Sequence, residues 1–154
     1  MKKILLISSL AIAMGFSILA HGVLVNNLKG LIQTAKIGRF IANDDGTVLD
    51  TKTNLIWAAK DNGSDINWAH AKSYCENYSG GGNMDWRMPT QDELESLYNA
   101  DETYTSNRGD NVHLPELILL TGTAPWASET SGSEAAFFRF GTGGRHWAHM
   151  SNSY

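Results

Sequence analysis

Residues 86–93 read Trp-Arg-Met-Pro-Thr-Gln-Asp-Glu, and this stretch in the middle of the chain decides the fold. Pro89 restricts Met88 to an extended conformation, because the proline ring clashes with a helical residue in front of it. Thr90 is followed three residues later by Glu93, which is the capping-box pattern of a helix N-terminus. The stretch therefore predicts an extended segment that passes directly into a helix beginning after Thr90.

A second helix is predicted upstream. Asn67 can accept a hydrogen bond from a free amide of a first helical turn, and the Ser-Gly-Gly-Gly run at residues 79–82 ends the helix. One helical face is formed by Trp68, Ala71, Cys75 and Tyr78. In the helix after Thr90, the buried face is formed by Leu94, Leu97 and Tyr98. Cys75 is the only cysteine, so it has no internal disulfide partner, and we expect it to be a small buried hydrophobe.

Short strands are predicted on both sides of the two helices. The early strands lie at residues 39–42, 47–49 and 55–58, with turns between them at 43–46 and 50–54. The late strands lie at residues 126–129, 135–140 and 145–150. Residues 101–113 are predicted to form a long polar loop, and the structure of the apolar run 114–120 stays open because it contains a proline. This order predicts an α+β domain of antiparallel strands around two central helices.

The first 22 residues have the layout of a secretory signal peptide. Lys2 and Lys3 form a basic start, residues 4–20 carry no charge, and Ala20 and Gly22 are small residues at a cleavage position. An uncleaved anchor is the competing interpretation, because the apolar run is close to the roughly 17 residues that a spanning helix needs. The small-residue site and the short basic flank favour the signal peptide.

This interpretation divides the chain into three parts. We expect a signal peptide at 1–22, a lead-in or linker at 23–37 and one domain at 38–154. The protein would then be secreted or periplasmic and would have no membrane contact after cleavage of the signal. Removal of Lys2 and Lys3 leaves ten basic against sixteen acidic residues, a net charge of −6, so no global field attracts nucleic acid.

The sequence lacks the motifs of the common enzyme classes. It contains no Gly-x-Ser-x-Gly elbow, no phosphate-binding loop and no dinucleotide fingerprint. His146 and His149 are three residues apart on a predicted strand, so they point to opposite faces and are a poor metal pair. Residues 61–65, Asp-Asn-Gly-Ser-Asp, lack the spacing of an EF-hand and are expected to form a solvated turn rather than a calcium loop. No catalytic residue, cofactor or metal is predicted.

The candidate ligand-binding residues are Arg139, Arg145 and His146, which surround the last predicted hairpin. Arg139 alternates out of phase with its phenylalanine neighbours, so its side chain is expected to face solvent. A small cationic cluster of this kind can hold sulfate or carboxylate through charge-assisted hydrogen bonds. The alternative is a set of solubilising surface charges, which are the commoner case.

Several blocks of the sequence together resemble a known family. They are Asp45-Gly46-Thr47-Val48, residues 50–57 ending in Leu-Ile-Trp, the 85–90 block with Glu93-Leu94, Trp126-Ala127-Ser128-Glu129 and Phe138-Arg139-Phe140. In this combination they resemble the Lcl C-terminal domain family over residues 38–154. Family members usually continue past the position of Tyr154 into one more strand rich in Arg and Val. The resemblance therefore predicts a domain that lacks its last strand and has an unpaired edge.

The resemblance implies a small extracytoplasmic domain with a fold similar to C-type lectins and formylglycine-generating enzymes. The founding member is a collagen-like adhesin whose C-terminal domain is associated with binding sulfated glycosaminoglycans. The reaction of formylglycine-generating enzymes uses a pair of cysteines, and this chain has one. The first hypothesis is thus a non-catalytic binding module for a polysaccharide or another surface ligand. The alternative is a structural module that binds protein through an exposed β edge.

Overall fold

The computed structural model describes residues 2–3 and 35–154. The predicted signal peptide lies outside the described residues except for Lys2–Lys3, and so does most of the predicted lead-in at 23–37. Among the described residues, no helix is long and apolar enough to cross a membrane. The described part is an α+β domain, as the order of the predicted elements indicated.

Two helices occupy the middle of the chain, α1 (Trp68–Asn77) and α2 (Gln91–Leu97). The Asn67 side chain accepts a hydrogen bond from the His70 amide at 3.0 Å, so the predicted cap is confirmed. The capping box between Thr90 and Glu93 is also confirmed, with both hydrogen bonds present. Tyr78 and Tyr98 are extended C-cap residues rather than helical ones, and both still pack against the core.

The early strands form a four-stranded antiparallel meander. They are β2 (Lys36–Ile37), β3 (Phe40–Ala42), β4 (Thr47–Asp50) and β5 (Leu55–Ala58), in that spatial order. The turn between β3 and β4 is closed by a 2.8 Å bond from the Asn43 amide to the Thr47 carbonyl, and Gly46 has a φ of +79°. The three predicted strands are confirmed, and β2 adds a fourth at the edge.

Three longer strands form the late sheet: β9 (Trp126–Ser131), β10 (Glu134–Arg139) and β11 (Gly144–His149). The central strand β10 pairs antiparallel with both neighbours. Residues 135–138 of β10 are all buried, because one face packs on each of two apolar clusters. Phe137 belongs to the cluster with α1, and Phe138 belongs to the cluster with α2.

The remaining strands are short. Lys2–Lys3 is β1 and pairs in parallel with β6 (Trp86–Arg87). The prediction of a long polar loop at 101–113 is wrong in part, because β7 (Tyr104–Thr105) and β8 (Asn111–Val112) form a small hairpin there. Val112 is fully buried and anchors this hairpin to the core. Tyr104, its cross-strand partner, packs against the same core, and two such side chains eight residues apart gave no alternating pattern by which to predict the hairpin.

The predicted apolar run at 114–120 has no regular helix or strand. Its anchors Leu114, Ile118 and Leu120 are nonetheless buried in the cluster that contains α2. Leu119 forms an isolated bridge with Lys60, which joins this run to the loop after β5. The run therefore closes one side of the core through side-chain burial rather than through a ladder of backbone bonds.

The N-terminus of α2 is bonded to the late sheet. The backbone amide of Gln91 donates to the Glu129 carboxylate of β9 at 2.9 Å. The buried Gln91 side chain donates to the Phe137 carbonyl of β10 at 2.9 Å and to the His146 carbonyl of β11 at 3.1 Å. A carboxylate is favoured at this end of a helix because the free amides and the helix dipole are positive there.

Arg87 is held at the same helix end. It donates two hydrogen bonds to the Glu93 carboxylate, at 3.0 and 3.1 Å, and one to the Met88 carbonyl at 2.9 Å. Arg87 is therefore bonded both to a carboxylate and to a backbone carbonyl. Glu93 serves the capping box and this ion pair at once.

We predict that Thr90→Ala lowers the free energy of unfolding by about 1 kcal/mol, because the amide of Glu93 loses its cap. The measurement is urea denaturation followed by tryptophan fluorescence. Thr142→Ala is the matched control: Thr142 is exposed on the β10–β11 turn, so its loss should change stability by less than about 0.5 kcal/mol. Equal effects of the two substitutions would contradict a stabilising cap.

Candidate functional site

A pocket of about 250 Å³ opens between the loop after β5, the segment that leads into β9, the end of β10 and the C-terminal residues. Ala71 and Cys75 of α1 and Met88 of the central stretch contribute buried apolar surface to it. Trp126 and Tyr154 are its aromatic lining residues. The walls thus come from segments far apart in the sequence, and the late sheet and α1 hold them in place.

The aromatic wall is itself fixed by packing. Tyr154 stacks on Phe137 with ring centroids 4.8 Å apart and meets Trp126 edge-on at 5.0 Å. The Trp126 indole donates to the Ile66 carbonyl at 2.9 Å. The Ile66 amide donates to the Tyr154 carbonyl at 3.2 Å, so the chain end lies against the loop after β5. The ring of Tyr154 therefore has a defined position at the pocket.

Asp61 joins two walls of the pocket. Its carboxylate accepts hydrogen bonds from the Thr121 amide at 2.9 Å, the Thr121 hydroxyl at 3.0 Å and the Gly63 amide at 2.8 Å. Burial raises the pKa of Asp61 to about 7, although these bonds and the charge of Arg108 act in the opposite direction. The expected solvated turn at 61–65 is thus wrong for Asp61, because its side chain is committed to a contact sixty residues away.

Arg108 and Asp65 form an ion pair at the same pocket. The guanidinium lies 2.7 Å from one carboxylate oxygen of Asp65 and donates to the other at 2.9 Å. Both residues line the pocket, and so does the exposed Asp110. The positive charge of Arg108 is therefore balanced within the protein.

Of the predicted ligand-binding residues, Arg139 lies at this pocket. It is exposed, as the alternation along β10 predicted. Within residues 35–154, Arg39, Arg87, Arg108 and Arg145 each form an ion pair, whereas Arg139 has no carboxylate within 4.0 Å. Its guanidinium is consequently available to an anionic group of a ligand.

Arg145 lies on the opposite face of the late sheet. It is paired across the strands with Phe138, whereas Arg139 is paired with Gly144. The Arg145 guanidinium contacts Asp92 at 2.7 Å and also pairs with Glu95, both on α2. Hydrogen bonds to Glu95 and Asp92 raise the pKa of Arg145. The two arginines predicted as one cluster are thus separated by the sheet, and only one of them is unpaired.

His146 shares the face of Arg139. It is paired across the strands with Phe137, and its ring stacks on that residue at 5.2 Å. His149 lies on the other face, because it is three residues further along the same strand. Among the described residues, no group of three or more His, Cys, Asp or Glu side chains could hold a metal ion.

Cys75 at the pocket is a buried thiol with no disulfide, as predicted. Burial raises its pKa to about 12, so almost none of it is thiolate at neutral pH. Asp61, Asp110 and Tyr154 were missed as pocket residues. Their positions depend on contacts between distant segments, and the local sequence around each carries no signal of these contacts.

The two helices and the late sheet define a small α+β domain. The pocket on its surface has one aromatic wall and one charged wall. The family model of the Lcl C-terminal domain matches residues 46–154, so the chain belongs to this family. The resemblance carried by the 85–90 block and the Asp-Gly-Thr-Val hairpin is thereby confirmed. No curated protein and no solved structure gives a match.

We predict that ionisation of Asp61 lowers the stability of the protein as the pH rises from about 4 to about 7, and that Asp61→Asn removes this contribution. The folded protein holds the proton of Asp61 up to a pKa of about 7, whereas the unfolded chain releases it near 3.8. Ionisation therefore disfavours the folded state in this window. Above about pH 7 the contribution of Asp61 to stability no longer changes with pH. Urea midpoints measured from pH 4 to 8 give the comparison.

Asp101→Asn is the control for this experiment, because Asp101 is an exposed aspartate that makes no contact with Asp61 or Arg108. It should keep the pH profile of the unmodified protein. An unchanged pH profile in Asp61→Asn would show that the buried carboxyl does not titrate in this range.

Proposed function

We propose that the chain is an exported, non-catalytic binding module that recognises a polysaccharide through the pocket at Arg139. Membership of the Lcl C-terminal domain family supports an adhesin-type role. A fold similar to C-type lectins, a secreted or periplasmic location and a signal peptide at 1–22 belong to the same proposal. The net negative charge of the chain disfavours nucleic acid as the partner.

The observation that carries this proposal is an unpaired guanidinium beside an aromatic wall. Ligand pockets are mostly apolar and aromatic, with a few polar groups that orient the ligand. Tyr154 provides the apolar surface on which a sugar ring can lie, and Arg139 provides the charged donor. Trp126 is 5% exposed and supports the ring of Tyr154 from below. Threonine and aspartate side chains at 110, 121 and 123 add groups that can bond to hydroxyls.

A second candidate function rests on β11, an edge strand of the late sheet. Trp147 on this strand is 46% exposed, although tryptophan is highly buried on average. A protein partner could add a strand beside β11 and cover this side chain. Under this alternative, the protein partner would contact Trp147 and leave the pocket at Arg139 empty.

We predict that the protein binds an anionic polysaccharide on a glycan array, more strongly at low than at physiological salt. Arg139→Ala should weaken this binding at least fivefold, because an unpaired guanidinium contributes a charge-assisted hydrogen bond. Arg145→Ala is the matched control, an exposed arginine on the adjacent strand that already pairs with two carboxylates, and it should bind as the unmodified protein does.

Two results would contradict the proposal. One is a folded protein that binds no glycan on the array. The other is a loss of binding in a Trp147→Ala variant with full retention in Arg139→Ala, which would favour the edge of β11 as the interaction surface.

A further inference from the structure

The pocket has room for about one sugar ring. Its volume of about 250 Å³ lies below the roughly 300–1,000 Å³ of pockets that enclose drug-sized ligands. On the inner side, α1 contributes Ala71 and Cys75, and both residues are buried in the core. A polymer therefore cannot thread through this side, and a terminal or branching unit is what can enter.

The charges of the pocket are partly committed to the protein itself. Arg108 and Asp65 neutralise each other, and the Asp61 carboxylate already accepts three hydrogen bonds. Arg139 and Asp110 are the charged lining residues that remain, and neither forms an ion pair within residues 35–154. The pocket thus offers a ligand the unpaired guanidinium of Arg139 and the unpaired carboxylate of Asp110, which can accept hydrogen bonds.

These two groups select among ligands by their chemistry. A guanidinium binds a carboxylate through two parallel hydrogen bonds, and an aspartate accepts hydrogen bonds from hydroxyl groups. A neutral sugar would leave Arg139 without an anionic partner. A ring with several sulfate groups would bring negative charge close to Asp110 and Asp65, and like charges repel most strongly at short distance.

We infer that the pocket binds one uronic acid unit, a sugar ring with a single carboxylate, at a chain end or branch. The carboxylate pairs with Arg139, hydroxyl groups donate to Asp110, and the apolar face of the ring lies on Tyr154. This inference rests on the proposed function and names the ligand class of the same site. It requires no metal and no conformational change of the late sheet.

The test is an NMR titration of the purified protein with D-glucuronate and, separately, with D-glucose. We expect glucuronate to shift the indole signal of Trp126 and the amide signals of residues 120–124, with a Kd on the order of 1 mM. Glucose should bind at least tenfold more weakly. Equal affinities for the two sugars would overturn the inference, because the carboxylate would then contribute nothing.

Four variants locate the site. Arg139→Ala should lose at least tenfold in glucuronate affinity, and Arg139→Lys should recover part of it, because lysine keeps the charge but not the two-pronged geometry. Asp110→Asn should weaken glucuronate binding severalfold and keep the preference over glucose. Arg145→Ala should bind normally, and a loss there as large as in Arg139→Ala would refute the assignment. The dispersion of each spectrum shows whether the variant is folded.

The glycan array tests the proposed function, and the titration tests the uronic acid inference, so one can fail without the other. Binding of polysaccharides on the array without binding of glucuronate would leave the proposed function standing and overturn the uronic acid inference. Glucuronate binding that depends on Arg139, together with a blank array, would uphold the ligand chemistry and overturn the polysaccharide role.

Discussion

The N-terminus of α2 is the point at which the helical middle of the chain is joined to the late sheet. The packing of both helices on that sheet depends on this junction. A single residue, Gln91, bonds through its amide to β9 and through its buried side chain to β10 and β11. Arg87 and Glu93 fix the chain that enters the helix. Once this junction is made, α2 covers one face of the late sheet and leaves the other face to α1. The pocket lies on the side of α1, so the positions of its walls depend on this junction.

The local parts of the fold could be predicted because their signals are local. The capping residues Asn67 and Thr90, the Asp-Gly turn of the meander and the late strands all follow from a few neighbouring residues. The hairpin at 104–112 could not be predicted, since Val112 and its cross-strand partner Tyr104 are its only two apolar side chains and both contact segments outside it. The family could be recognised because it depends on the order of these same local blocks.

The candidate site could be predicted only in part. Arg139 was found from its position out of phase with two phenylalanines, which is again a local signal. Its separation from Arg145 depends on the register across the β10–β11 turn, which pairs Arg139 with Gly144. A shift of this register by one residue would have moved the whole of β11 to the other face, and no local pattern of charges determines it. The role of Asp61 was missed for a related reason, because its partner Thr121 is sixty residues away.

The buried thiol of Cys75 has a consequence for the surroundings in which the domain can keep its shape. Disulfide exchange begins with attack by a thiolate, and a thiol whose pKa is raised to about 12 supplies almost none at neutral pH. Its burial, with 5% of the residue exposed, also limits the approach of foreign disulfides to the sulfur. The thiol on the inner side of the pocket is therefore expected to remain a thiol in a reducing compartment and in an oxidising one.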